Sequence, residues 1–242
     1  MALQLQLLEH TLVINLVERE DRRLSVSVQL KKIGVSNPEF INAIKTKDGA
    51  IGCSMSHIKC IELARKNNWD YVCVVEDDFK CVDPEIFTAS LSKFQQTSIR
   101  DNIPWDVLLI GGNNCPPYYK IPNVDYCVQI TNCQSAIAYV IKREFYDTII
   151  YNFREGVGKL MRDPSNKRQY AVDMYWKHLQ QSGRWFILVP LTITQETSYS
   201  NIEEKVINYD HLMLDIDKPW VFNQFNHQNA LQNMICIKSK SL

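Results

Sequence analysis

Apolar and polar positions fall along this chain in blocks with two different periods. Short continuous apolar runs, rich in Val, Ile and Tyr, occupy Thr11-Leu12-Val13-Ile14-Asn15-Leu16, Tyr71-Val72-Cys73-Val74-Val75, Trp105-Asp106-Val107-Leu108-Leu109-Ile110, Ser135 to Ile141 and Trp185 to Val189. Runs of that length and composition read as strands buried on both faces. Between them the apolar residues recur three and four apart, the spacing of a helix face: Leu24 and Val28; His57, Cys60, Ile61 and Ala64; Phe145, Ile149 and Phe153, stopping near Gly156; Val172, Tyr175, Trp176 and Leu179, ended by Gly183. Pro84 opens a more polar helix through about Phe94. Ile33 to Phe40 and Leu191-Thr192-Ile193 read as further short strands, Pro116-Pro117-Tyr118-Tyr119 as an extended loop, and Met161 to Gln169 as an exposed loop. Strands alternating with helices, with no linker-like stretch and no repeat, predict one α/β domain over residues 1–242 with a mostly parallel central sheet. Residues 202–242 form an extension to which the pattern assigns no role.

The second strand runs straight into Glu76, Asp77 and Asp78. An unpaired carboxylate is too costly to bury, so these acids belong where the strand emerges. In open α/β sheets that is where ligands bind. Adjacent like charges repel, and a divalent cation with oxygen preference, Mg²⁺ or Mn²⁺, relieves the repulsion. The alternative is a solvated acidic turn. The first strand ends in Glu18, Arg19, Glu20, Asp21, Arg22 and Arg23, where the guanidinium groups either hold an anion or pair with their own acids. Ser54 or Ser56 is placed to cap the helix that carries His57 in its first turn. His57 touches a ligand or sits as a satisfied core histidine. Gly111-Gly112 after the third strand permits either close approach of a ligand or a tight turn. Asp173, in a first helical turn, offsets the helix dipole or serves as a base.

Charge and cysteine usage exclude several classes. Lys+Arg and Asp+Glu both number 27, with no basic stripe, which argues against a nucleic-acid binder. No run approaches the roughly 18 apolar residues of a membrane span. Met1 to Leu8 lacks the basic and small-residue features of a signal peptide. The eight cysteines form no Cys-x-x-Cys and no zinc-type pairing with His, so free thiols and a reducing, cytoplasmic setting are expected.

Four segments together resemble glycosyltransferase family 25, the lipooligosaccharide and procollagen galactosyltransferase group: Val13-Ile14-Asn15-Leu16 with Arg19 and Asp21-Arg22-Arg23; Gly52-Cys53-x-x-Ser56-His57; Val74-Val75-Glu76-Asp77-Asp78; and Val172-Asp173. Val189-Pro190-Leu191, Gln195 and Ser200-Asn201-Ile202 resemble the family's tail, with Val189 and Asn201 where the family has Pro and Asp. The resemblance spans roughly residues 11 to 202. It implies a GT-A fold that uses a UDP-sugar, most often UDP-galactose, with Mn²⁺ or Mg²⁺. Glu76 and Asp78 would hold the metal from one side of an extended chain, with Asp77 turned oppositely, toward ribose. Asn15, Leu16, Arg19, Ser56, His57, Gly111, Gly112 and Gln195 would line the nucleotide-sugar pocket. Family members invert at the anomeric carbon, which needs a base opposite the leaving group, and Asp173 fills that role. The acceptor is then a glycan or protein hydroxyl; the oligomeric state is left open. A nucleotide-sugar hydrolase, a nucleotidyltransferase or an inactive carbohydrate-binding module are the competing readings.

Overall fold

The continuous apolar runs are strands in the computed structural model, which describes residues 5–100, 103–200 and 205–219. In chain order the strands are β1 (Thr11–Asn15), β2 (Glu39–Asn42), β3 (Tyr71–Glu76), β4 (Phe79–Cys81), β5 (Val107–Asn114), β6 (Tyr118–Lys120), β7 (Cys127–Ile130), β8 (Cys133–Lys142), β9 (Trp185–Leu188), β10 (Ile193–Gln195), β11 (Ser198–Ser200) and β12 (Lys205–Ile207). The helices are α1 (Glu20–Lys32), α2 (Gly49–Lys66), α3 (Pro84–Arg100), α4 (Tyr146–Arg162), α5 (Lys167–Tyr170), α6 (Val172–Tyr175) and α7 (Asp210–Met213).

Eight strands make the central sheet, in the order β2-β1-β3-β8-β5-β9-β7-β6, and β4 pairs with β10 in a small ribbon beside it. β1 is parallel to β2 and β3, and β5 to β9. β8 runs against both β3 and β5, and β7 against both β9 and β6. Six strands therefore share one direction, and the mixed α/β architecture with a mostly parallel sheet is as the pattern predicts. The antiparallel β8 in the middle is what simple alternation of strands and helices does not reveal.

Alternate residues of each central strand feed two cores. On one face Val13, Val75, Leu108 and Val140 pack with Val26 and Leu30 of α1 and Phe87, Leu91 and Phe94 of α3. On the other, Leu12, Val72, Val74, Leu109 and Ile141 pack with Ile58, Ile61 and Ala64 of α2, Ile149 and Phe153 of α4, and Trp176. Burial on both faces explains why these strands read as unbroken apolar runs. It also contributes about 1.5–3 kcal/mol for each large side chain.

Five local expectations need correction. The start of α2 is capped by Asp48, whose side chain accepts from Ala50 N, so Ser54 and Ser56 lie within the helix and His57 is mid-helix, not in its first turn. β5 does not end before Gly111-Gly112 but continues, buried, through Asn114. α4 passes through Gly156 to Arg162; a Cβ on Gly156 would lie 3.1–3.3 Å from Tyr170 O and Tyr175, so this glycine serves the packing of α6 rather than a helix end. The stretch from Met161 to Gln169 is not all loop, for it holds the last turn of α4 and most of α5, and Tyr118 and Tyr119 lie in β6. Asn201 and Ile202, and the 202–242 extension apart from 205–219, lie outside the described residues.

Candidate active site

β3 is committed by its Tyr/Val run and ends at Glu76; Asp77 and Asp78 make the turn into β4. The three acids meet three different environments. Asp77 is buried, and its charge is matched: Oδ2 accepts from Asn15 Nδ2 at 2.8 Å, and Oδ1 accepts from Arg22 Nη1 at 2.9 Å. Asn15 also donates to Arg19 O at 3.1 Å. This knot ties the end of β1 and the first turn of α1 to the end of β3, because a buried carboxylate is tolerated only when paired and hydrogen-bonded. Asn15 and Asp77 thus come together, but on each other.

Asp78 is less well served. Arg22 Nη1 stands 3.6 Å from its Oδ2, and Gln195 Nε2 is 3.5 Å from its Oδ1, both at or past the limit of a hydrogen bond. Burial and the neighbouring Glu76 charge raise the Asp78 carboxyl to about 7; Arg22 offsets only part of that. Gln195 reaches this place because β10 pairs with β4, with Gln195 opposite Phe79, and Glu196 N donates to Asp78 O at 2.7 Å. A crowded pair of carboxylates whose charge the protein leaves under-compensated fits a hard divalent cation with oxygen ligands.

Glu76 turns toward α2. His57, fully buried, places Nε2 3.1 Å from Glu76 Oε1 and Nδ1 2.7 Å from Tyr139 Oη. Cys53 Sγ lies 3.8 Å from the same Glu76 oxygen. Asp173 Oδ2 accepts from Ser135 N at 2.8 Å, where Ser135 holds a left-handed φ of 71°. Burial raises the Asp173 carboxyl, and the Glu76 charge raises it further, so the two acids share one electrostatic environment.

The remaining expected residues are spread more widely. Leu16 follows β1, partly buried, and Arg19 pairs with Asp21 at 2.7 Å. Ser56 Oγ donates to Gly52 O and accepts from Ile44 N, tying the β2–α2 loop to the helix. Gly111 and Gly112 face protein: added Cβ atoms would lie 2.5 Å from Ile193 Cγ2 and 2.8 Å from Cys133 Sγ. Cys53 and Tyr139 were missed as site residues, since a thiol on an apolar stripe and a tyrosine inside a strand carry no signal of their own. Asn113, Asn114 and Ser135 were missed too; among the described residues Asn113 Oδ1, both polar side-chain atoms of Asn114 and Ser135 Oγ are buried without a hydrogen-bond partner. The sequence signals nothing of this, because the β5–β8 register that joins Asn113 to Gln134 is long-range.

Acids at the end of a strand in a mixed, mostly parallel sheet suit a fold of the GT-A-like kind. Residues 47–106, which carry α2, the acid triplet and α3, match Glycosyltransferase family 25 (LPS biosynthesis protein). The match supports the resemblance to that family over this segment. No curated relative matches the chain. Among solved structures, a glycosyltransferase involved in glycosylation of the major capsid of PBCV-1 aligns at 9% identity and TM-score 0.46, covering 76% of this chain and 82% of that one. Apo-UDP-glucose pyrophosphorylase aligns at 9% and 0.40, covering 74% and 72%. A Drosophila beta-1,4-galactosyltransferase 7 variant, in complex with manganese, UDP-Gal and xylobiose, aligns at 15% and 0.34, covering 58% and 51%. At such identities and TM-scores these neighbours say nothing of what this chain binds.

Proposed function

We propose that the chain, acting as one domain, is a metal-dependent hexosyltransferase that moves galactose or glucose from a UDP-sugar to a glycan or protein hydroxyl with inversion. The observation that carries the reading is the contrast at the end of β3. Asp77 is neutralised inside the fold, while Asp78 is left beside Glu76 with its carboxyl raised to about 7. Asp78 and Glu76 would hold Mn²⁺ or Mg²⁺, which when bound neutralises the leaving diphosphate.

The chain's own residues supply the rest. Arg22, already at the acid cluster, adds positive charge near the diphosphate. Asp173 takes the proton from the acceptor hydroxyl; the Ser135 N–H fixes the direction of its carboxylate, and the raised pKa makes it a stronger base than an exposed aspartate.

The test is thermal unfolding of the full chain with UDP, with and without Mn²⁺. Ligand at a hundred times its Kd adds about 2.7 kcal/mol of stability. The added stability should require Mn²⁺ and vanish in Asp78→Asn. An equal UDP effect in that variant, or none in the native chain, would sink the reading. Labelled UDP-hexose that yields only free sugar, whatever acceptor is offered, would convert it to a hydrolase.

A further inference from the structure

We propose that Cys53, His57 and Glu76 form a second cation site, for a thiophilic divalent ion of the zinc class, which shares only Glu76 with the oxygen-only set around Asp78. Cys53 Sγ, His57 Nε2 and a Glu76 carboxylate oxygen lie within 4.8 Å of one another. The two contacts to Glu76 Oε1 are 3.1 Å from His57 and 3.8 Å from Cys53. Bonds of about 2.0–2.3 Å arranged tetrahedrally give ligand–ligand edges of about 3.4–3.6 Å, so small side-chain adjustments suffice to seat the ion.

The donors select the metal. Sulfur with imidazole and one carboxylate is a set for Zn²⁺ or Co²⁺, not for Mg²⁺ or Mn²⁺. Once the thiol gives up its proton, a thiolate and a carboxylate sum to two negative charges and match a divalent ion in a largely buried place. Cys53 and His57 stand four apart on α2 and so share one face of the helix, while Glu76 is delivered by β3 and keeps 24% of its side chain exposed, leaving a way in.

The second layer is already present. Tyr139 Oη sits 2.7 Å from His57 Nδ1. A hydroxyl both donates and accepts, so the pair serves either tautomer. Without an ion, Nε2–H donates to Glu76 and the tyrosine donates to Nδ1. With one, Nδ1–H donates to the tyrosine oxygen and the Nε2 lone pair faces the ion, the arrangement that orients histidine ligands generally. One consequence rests on the proposed function: an ion seated here takes Glu76 from the set around Asp78, so zinc slows transfer.

The probe is Co²⁺ added to the full chain stripped of metal. Thiolate ligation gives a near-ultraviolet charge-transfer band, and tetrahedral geometry gives intense visible bands. One equivalent should produce both. Cys53→Ser should abolish the charge-transfer band, Tyr139→Phe should weaken binding about 10–100-fold, and Asp78→Asn should leave the spectrum in place. Glu76→Gln gives a second reading where Cys53→Ser fails to fold by circular dichroism; it should remove the tetrahedral bands. A charge-transfer band that survives Cys53→Ser, tetrahedral bands that survive Glu76→Gln, or a native chain that gives only the weak spectrum of octahedral cobalt, overturns the site. None of these readouts needs a sugar donor, so failure of the transferase reading leaves this test intact.

Discussion

Asp77 and Asp78 are the same residue one step apart, yet the fold treats them oppositely. Asp77 receives an amide and a guanidinium and becomes part of the frame; Asp78 receives two long contacts and keeps an uncompensated charge. A proton is then the competitor of any cation at Asp78. Because its carboxyl is raised to about 7, Mn²⁺ affinity should fall about tenfold per pH unit below 7 and level off above it, as measured by titration calorimetry across that range. A flat profile from pH 5 to 8 would mean that Asp78 is not a ligand. Asp173 allows a sharper experiment. In Asp173→Asn the amide oxygen still accepts from Ser135 N, so the fold and donor binding should persist while turnover drops roughly 10²-fold or more. Unchanged transfer rates would leave Asp173 as the group that holds Ser135 in its left-handed conformation and nothing else.

At the scale of elements, the site is a meeting of β3, α2, β10 and the first turn of α1. α2 carries Cys53 and His57 on the same buried stripe that packs Ile61 and Ala64 into the core, so the helix is both core and wall. β5 packs against β10 so closely that Gly111 has no room for a methyl group: Ile193 Cγ2 would lie 2.5 Å from it. Gly111→Ala should therefore cost about 1–3 kcal/mol, read from the urea midpoint, and displace β10 and with it Gln195 from Asp78. A variant as stable as the native chain would show that β10 yields freely. The periodic helices and unbroken strands were legible because packing against a sheet writes its period into the sequence. The continuation of β5 through two glycines was not, because Gly111 answers to Ile193 on β10 and Gly112 to Cys133 on β8, both far along the chain.

For the whole molecule, the described cysteines are all free, and burial raises Cys60, Cys73 and Cys127 to about 12. An unfolded thiol titrates near ~8.5. Between those values the unfolded chain has shed protons that the folded chain retains, so the unfolded state binds fewer and stability falls as pH rises. Each thiol contributes a loss of about 1.4 kcal/mol per pH unit from roughly pH 9 until about pH 12. Urea midpoints should be level from pH 7 to 8.5 and fall steeply beyond; Cys60→Ala and Cys127→Ala should flatten that fall, though both lower the plateau. Equal slopes in all three chains would assign the alkaline loss to other groups. No helix among the described residues is long and apolar enough to cross a membrane.

By itself, the sequence determined the α/β class, the strands that build the sheet and the emergence of three acids at a strand end, since local period and the cost of burying charge act within a few residues. Only the tertiary structure decided which acid is spent on the frame, which is left with two long contacts and which turns to a cysteine and a histidine. Those fates depend on Arg22, Gln195, His57 and Tyr139, brought to the acids by pairings of β1, β10 and β8 that lie tens of residues away in the chain. Short-range pattern carries no record of such partners, because each of those residues satisfies its own element equally well whether or not an acid waits across the gap.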